Sequence, residues 1–257
     1  MTPLHTSHQG FSVLASPAFS LLEVFMNFAG RGIVAIWHDI LLEGQPEFYE
    51  WHNREHMPER MGIPGFRRGR RYIAVNAKPQ FFCFYEGDDH GVVAGPAYFE
   101  RLNNPSEWTR KMMPYFRNMS RSVCNLRYSE GPGEGGFIAT LRFSTSKKNE
   151  NELIETILPK VASQPGVVGV HFCVADGAAS EIPTVEKTFR KSADMCAPYT
   201  VLIEGSSASA VQAAATTLSA DVPGEVGVYQ LENTRSNLQG AHTAASAYNS
   251  AQVLGGR

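Results

Sequence analysis

The sequence predicts an α+β fold in which two tandem βαββαβ units close into one barrel, and three observations carry that prediction. From Gly32 to Glu130, strand-like apolar runs alternate with segments of helical spacing in the order β-α-β-β-α-β. After a glycine-rich stretch at 131–136 the same order repeats. Landmarks also recur at a constant offset: Met57-Pro58 and Pro64-Gly65 in the first half match Leu158-Pro159 and Pro165-Gly166 in the second. Gly69-Arg70-Arg71-Tyr72 is similarly shadowed by Gly169-Val170-His171-Phe172. This element order is that of ferredoxin-like units. A four-stranded sheet with helices on one face leaves its other face apolar, and two such faces bury each other. The expected architecture is an intramolecular α+β barrel with both sheets inward and the helices outside.

Each element has a local reason. GIVAIWHDIL, 32–41, is a β-branched-rich strand. Residues 45–57 carry Phe48, Trp51, His52, Glu55 and His56 at helical spacings, and Pro58 predicts that this helix ends or kinks there. Ile63-Pro64-Gly65-Phe66 turns the chain into strands at 67–75 and 79–87, read as an antiparallel pair. Residues 95–117 are helical in two pieces broken at Asn103-Asn104-Pro105, and 120–130 form the fourth strand. The second unit is read as strands 137–145, 167–175, 199–205 and 225–232 with helices 149–162 and 207–218. The domain division is an N-terminal extension at 1–30, units at 31–131 and 132–235, and a mobile tail rich in Ala, Ser, Gly and Gln at 236–257.

Composition narrows the function. The chain has 257 residues, with 23 Lys and Arg against 25 Asp and Glu, so its net charge of −2 gives no reason to expect nucleic acid or an anionic membrane as partner. No run of about eighteen apolar residues is present to span a bilayer. Residues 1–22 lack Asp, Glu, Lys and Arg, and so lack the basic start of a secretory signal. Cys83, Cys124, Cys173 and Cys196 form no Cys-x-x-Cys pair and read as reduced thiols in a cytoplasmic protein. Without a glycine-rich phosphate loop after a strand, no nucleotide cofactor is indicated. No cofactor is expected, and the expected partner is a small-molecule substrate.

Four histidines stand apart. His5, His8 and His242 fall in the tails and His90 in a polar loop, leaving His38, His52, His56 and His171. At the repeat offset His52 aligns with Leu153 and His56 with Ile157, which must form the sheet-facing stripe of the second helix. His52 and His56 should therefore face the sheet, where one unit has exchanged apolar packing for imidazoles. His38 shares a strand face with Val34, Ile36 and Ile40. A single buried histidine is more often a hydrogen-bonded core residue, but three converging near Glu55 suggest a site.

The stretch EFYEWHNREHMPERMGIPGFRRGRRY, 47–72, resembles the EthD-like branch of the dimeric α+β barrel superfamily, through Phe48, His56, Pro58, Pro64-Gly65, Arg71 and Tyr72. The resemblance implies a barrel of two ferredoxin-like units, here fused in one chain as a monomer or homodimer, and His56 as the catalytic position of a polyketide cyclase, dehydratase or isomerase. His56 is expected to act as a base poised near neutrality, with His52 and His38 assisting. Arg71 would fix a carboxylate, Tyr72 would donate to an enolate or phenolate, and Glu55 would orient an imidazole. Trp108 would wall an aromatic pocket. Arg60, Arg67, Arg68 and Arg70 read as solvated or paired with Glu47, Glu50 and Glu59. The expected activity is that of a cofactor-independent lyase or isomerase acting on a small aromatic or polyketide-like carbonyl or carboxylate compound. Two alternatives remain: a metal-dependent hydrolase, since His52 to His56 spell H-x-x-E-H, and a non-catalytic small-molecule binder.

Overall fold

The computed structural model describes residues 28–144, 148–190 and 194–237. The first half contains β1 (Gly32–Ile40), a helical run α1 (Gln45–Trp51, His52–His56 and Met57–Met61), β2 (Phe66–Asn76) and β3 (Phe81–Gly87). Helices α2 (Pro96–Asn103) and α3 (Glu107–Met112) then lead to β4 (Phe116–Glu130). The second half contains β5 (Phe137–Phe143), the run α4 (Glu150–Glu152, Leu153–Ile157 and Leu158–Ala162) and β6 (Val167–Ala175). It ends with α5 (Val185–Thr188), β7 (Tyr199–Gly205), α6 (Ala208–Asp221) and β8 (Glu225–Ser236). Side chains cap α3, α4 and α6: Ser106, Asn149 and Ser207 each accept from the backbone N–H three residues on.

The eight strands close into one antiparallel barrel in the order β1-β3-β2-β8-β5-β7-β6-β4. β2 bonds to β8 and β4 to β6, so closure leaves these strands no free edge. Among the described residues no helix is long and apolar enough to cross a membrane.

Strand alternation sorts the side chains into two layers. Trp37, Tyr72, Phe82, Phe84, Leu202 and Tyr229 fill the barrel. Outside it, Leu153, Ile157, Leu158 and Leu218 pack the helices of the second half onto β5, β6 and β7. Pro64-Gly65 and Pro165-Gly166 make the same turn into β2 and β6, with φ of +87° and +80° at the two glycines, a region that side-chain-bearing residues avoid.

Three expectations are corrected. Pro58 does not end α1, which runs on to Met61. A proline ring clashes with the carbonyl four residues back, but here the helix widens, with Met57 N–H bonding the His52 carbonyl five residues back. The second half does the same, Leu158 N–H to Leu153, just before Pro159. Next, the Gly69–Tyr72 echo is one residue out of register: Arg70 pairs with Phe84 and His171 with Leu202, so Arg70 answers His171. Finally, Arg60, Arg68 and Arg70 are buried rather than solvated, at 2%, 7% and 1% exposure. Arg67, on the outside, pairs with Asp88.

Arg68 and Arg70 project into the barrel. Arg68 Nε and Nη2 donate to the two oxygens of Glu86 at 2.7 and 2.8 Å, and Arg70 Nη1 donates to both oxygens of Glu204 at 3.0 Å. Burial pushes the Glu204 carboxyl up, but Arg70, His171 and the Gly135 N–H outweigh it and hold the group at about 2. Phe28 covers this cluster, its ring 3.8 Å from that of His171, and Ala29 N–H donates to Glu86. The fold thus starts by Phe28, inside the stretch read as an extension. Residues 1–27 and the tail beyond 237, with His5, His8 and His242, lie outside the described residues. Truncating Phe28 to Ala is expected to destabilise the protein by about 3 kcal/mol in urea unfolding.

Candidate active site

In the first half the layer between α1 and the sheet encloses a cavity of about 40 Å³. Its walls include His38 from β1, Trp51, His52, His56 and Arg60 from α1, Cys83 and Tyr85 from β3, and Arg121 from β4. Each strand residue follows from alternation: His38, Cys83, Tyr85 and Arg121 sit on the helix-facing side, while Trp37, Phe82 and Phe84 turn into the barrel. The wide turn of α1 sets His52 beside His56, ring centroids 5.4 Å apart and tilted by 31°, and lays His56 against Trp51 at 4.3 Å. Gly69 makes room for Tyr85, since a Cβ there would come within 2.8 Å of its ring.

Hydrogen bonding fixes the state of His52. Its Nδ1 lies 3.0 Å from Arg71 Nη1, and a guanidinium only donates, so Nδ1 is the acceptor and Nε2 carries the proton. That N–H points at Tyr85 Oη, 3.4 Å away, and at Cys83 Sγ, 3.8 Å away. A phenol that accepts from His52 keeps its own O–H to donate to whatever enters the cavity. Arg71 is itself held by Glu232 at 3.0 Å and Asn53 at 2.9 Å, so a chain Glu232–Arg71–His52–Tyr85 aims one hydroxyl.

All three imidazoles are neutral at pH 7. Burial pulls His38 down to about 3. It holds His52 and His56 well below the usual range, reinforced at His52 by Arg71 and at His56 by Arg60. His56 is thus not poised near neutrality, because its charged form would lie without water beside a guanidinium. Its Nδ1 has no hydrogen-bond partner among the described residues. Burial also raises the Tyr85 hydroxyl well above its normal value and the Cys83 thiol to about 12.

Of the residues singled out from the sequence, His38, His52 and His56 line the cavity. Arg71 stands behind His52. Tyr72 lies on the opposite face of β2, inside the barrel, its hydroxyl without a partner among the described residues. Glu55 turns away from the imidazoles to accept from Ser106 and Thr109, tying α1 to α3. Trp108 donates to Glu47 on the outer side of α1. The H-x-x-E-H pattern therefore assembles no metal site: Glu55 is engaged elsewhere and His52 Nδ1 is taken by Arg71. Among the described residues no group of three or more His, Cys, Asp or Glu side chains converges as metal ligands. Sequence reasoning missed Arg60, Tyr85, Arg121, Glu186 and Arg190. The parity of β3 alone places Tyr85 with Cys83, but nothing local marks the other four.

Strand registers give each wall residue a counterpart in the second half. His38, Cys83, Tyr85 and Arg121 answer to Phe143, Val201, Ile203 and Val226. His52, His56, Arg60 and Arg71 answer to Leu153, Ile157, Val161 and Phe172. One layer is polar and the other an apolar core.

No protein-family model matches the chain, and no curated protein does. Solved structures with a similar fold include an anthrone oxidase-like protein, 13% identical over 80% of this chain and 92% of that one, with a TM-score of 0.49. A monooxygenase-like protein of Listeria innocua is 11% identical, covering 80% and 97% of the two chains, with a TM-score of 0.40. A heme-binding protein of Thermus thermophilus is 10% identical, covering 79% and 92%, with a TM-score of 0.43. At such identities no chemistry passes from these proteins to this chain.

Two outcomes follow from the neutral imidazoles. The unfolded chain takes up a proton on His38 near pH 6.5, whereas the folded protein refuses it until about 3. The stability this contributes is present above pH 6.5 and is lost as pH falls toward 3, at about 1.4 kcal/mol per unit. Urea midpoints at pH 7.5 and 5.5 should therefore diverge, and His38→Phe, the counterpart residue, should shrink the difference. His56→Ile, copying Ile157, should raise stability by about 1 kcal/mol, because an unpartnered buried nitrogen is replaced by a methyl-bearing chain.

Proposed function

We propose that this chain is a fused, two-unit member of the EthD-like branch of the dimeric α+β barrel superfamily, and that it works as a cofactor-independent lyase or isomerase. Its two halves, 31–131 and 132–235, are read as tandem ferredoxin-like units, with a monomer or homodimer as the working form. The substrate is a small aromatic or polyketide-like compound bearing a carbonyl or carboxylate. The observation that carries this reading is the asymmetry of the two helix-to-sheet layers: polar side chains line the cavity of one, where the other holds Phe143, Leu153, Ile157, Val161, Phe172, Val201, Ile203 and Val226. Unpaired buried polar groups cost stability, and they concentrate where chemistry needs them.

In this reading His56 takes the proton. Being neutral, it offers a lone pair at pH 7. The imidazolium it forms lies beside the enolate or phenolate created in the same step, so negative charge appears where burial would otherwise forbid the positive one. Tyr85, with its proton free, donates to that oxygen, and donors of this kind contribute about 10²- to 10³-fold. His52 and Arg71 position Tyr85. His38 closes the far wall, its Nε2 3.9 Å from Cys83 Sγ. The four free cysteines suit a reducing, cytoplasmic setting.

Deuterium exchange tests the proton transfer before any product is known. Small aromatic ketones and keto acids are incubated with protein in D₂O and followed by proton NMR. Wild type should accelerate loss of the acidic C–H signal, His56→Gln should abolish that, and Tyr85→Phe should slow it about a hundredfold. If His56→Gln exchanges as fast as wild type while still folded, His56 is not the base. Saturable binding without exchange would favour the non-catalytic binder.

A further inference from the structure

The cavity is completed by the other half of the chain. Between β6 and β7 the chain makes a long excursion, and α5 within it lies against the first half, Val185 N–H bonding Asn103 Oδ1 at the end of α2. Glu186 and Arg190, from that excursion, line the cavity beside His56. Three of the lining residues are arginines, Arg60, Arg121 and Arg190, and Glu186 is the acid among them. Arg60 and Arg121 are 2% and 5% exposed, and the Arg190 side chain 4%.

Each of these guanidiniums has an N–H without a hydrogen-bond partner among the described residues: Arg60 Nη1, Arg121 Nη2 and Arg190 Nε. Arg60 Nη1 comes no nearer than 3.9 Å to Glu59. Arg60 Nη2 donates to Glu186 Oε1 at 2.9 Å. Arg121 Nη1 reaches the Ser180 carbonyl at 3.4 Å, and Arg190 Nη2 donates to Asp194 at 2.6 Å. Arg60 and Arg121 pack on the same Tyr98 ring, 5.8 and 5.4 Å from its centroid, which steadies both. Three buried arginines that each keep a donor in reserve line one cavity, which is the residue set an anion seat needs.

Volume says how the seat is used. About 40 Å³ holds a few water molecules while the Glu186 carboxylate is in place, so an aromatic acid enters only as that side chain moves aside. Beyond Arg121 lies a surface cleft of about 430 Å³, lined by Ser180, Lys187 and Cys196 among others, and Arg121 borders both spaces. A ligand in that cleft reaches Arg121, the residue it shares with the cavity in which Glu186 already sits on Arg60.

We propose that Arg60, Arg121 and Arg190 form a carboxylate subsite, that Glu186 occupies it as an internal surrogate, and that the substrate is a small planar carboxylate which displaces Glu186 on entry. This rests on the cavity being the working site, but not on His56 acting as a base.

Calorimetric titration of the full chain with benzoate and with its neutral isostere benzamide tests the proposal. Benzoate should bind about tenfold or more tightly than benzamide. Arg121→Gln should erase that preference, and Glu186→Gln should tighten benzoate binding several-fold by replacing the charged competitor on Arg60 with a neutral amide. Equal affinity for the two compounds overturns the proposal, as does failure of both wild type and Glu186→Gln to bind benzoate. The benzoate and benzamide comparison uses wild-type protein, so it stands even where a variant fails to fold. Retained benzoate preference in a protein showing no deuterium exchange would sink the proton transfer and leave the subsite standing.

Discussion

Arg70 of β2 reaches across the barrel to Glu204 of β7, and that contact between the halves shows the constraint under which the whole molecule is built. A closed barrel packed with Trp37, Phe82 and Tyr229 holds little water, so every ionisable group inside must find an opposite charge or give up its own. Inside the barrel the answer is pairing. Arg68, Arg70, Glu86 and Glu204 share their hydrogen bonds, with Phe28 stacked as a cover, and Glu204 stays ionised to low pH.

Outside the barrel, in the first half, the answer is neutrality. His38, His52 and His56 have no carboxylate among their hydrogen-bond partners in the described residues, and nearby guanidiniums add to the burial that keeps them uncharged. Neutral imidazoles are useful because each has one donor and one acceptor, and Arg71 decides which is which at His52. The second half shows what the same layer looks like when nothing is asked of it: a continuous apolar core under α4 and α6. Both halves carry the wide helical turn before a proline, so that turn accommodates Pro58 and Pro159, and the polarity of the first half is added by side chains alone.

The halves also differ in the link between their second and third strands. Four residues, 77–80, join β2 to β3, whereas β6 and β7 are separated by residues 176–198. The longer link crosses to the first half and supplies Glu186 and Arg190 to its cavity. The second half thus contributes part of the polar cavity, and the two halves are joined by more than barrel closure.

By itself the sequence determined the order of the eight strands and of every labelled helix except α5, and the alignment of His52 and His56 with Leu153 and Ile157, because apolar periodicity and spacing are local properties. Parity also grouped His38 with Ile36, without saying which face looked toward the helices, since both faces of a barrel strand are buried. Tertiary structure decided the rest. Arg71 and Tyr72 are neighbours in sequence but lie on opposite sides of the barrel wall, and Arg60, Arg68 and Arg70 resemble surface arginines until their partners Glu186, Glu86 and Glu204 arrive from distant segments. The physical reason is the same in each case: a charge's environment depends on what packs against it, and in this chain those contacts join residues as far apart as Arg71 and Glu232, 161 positions.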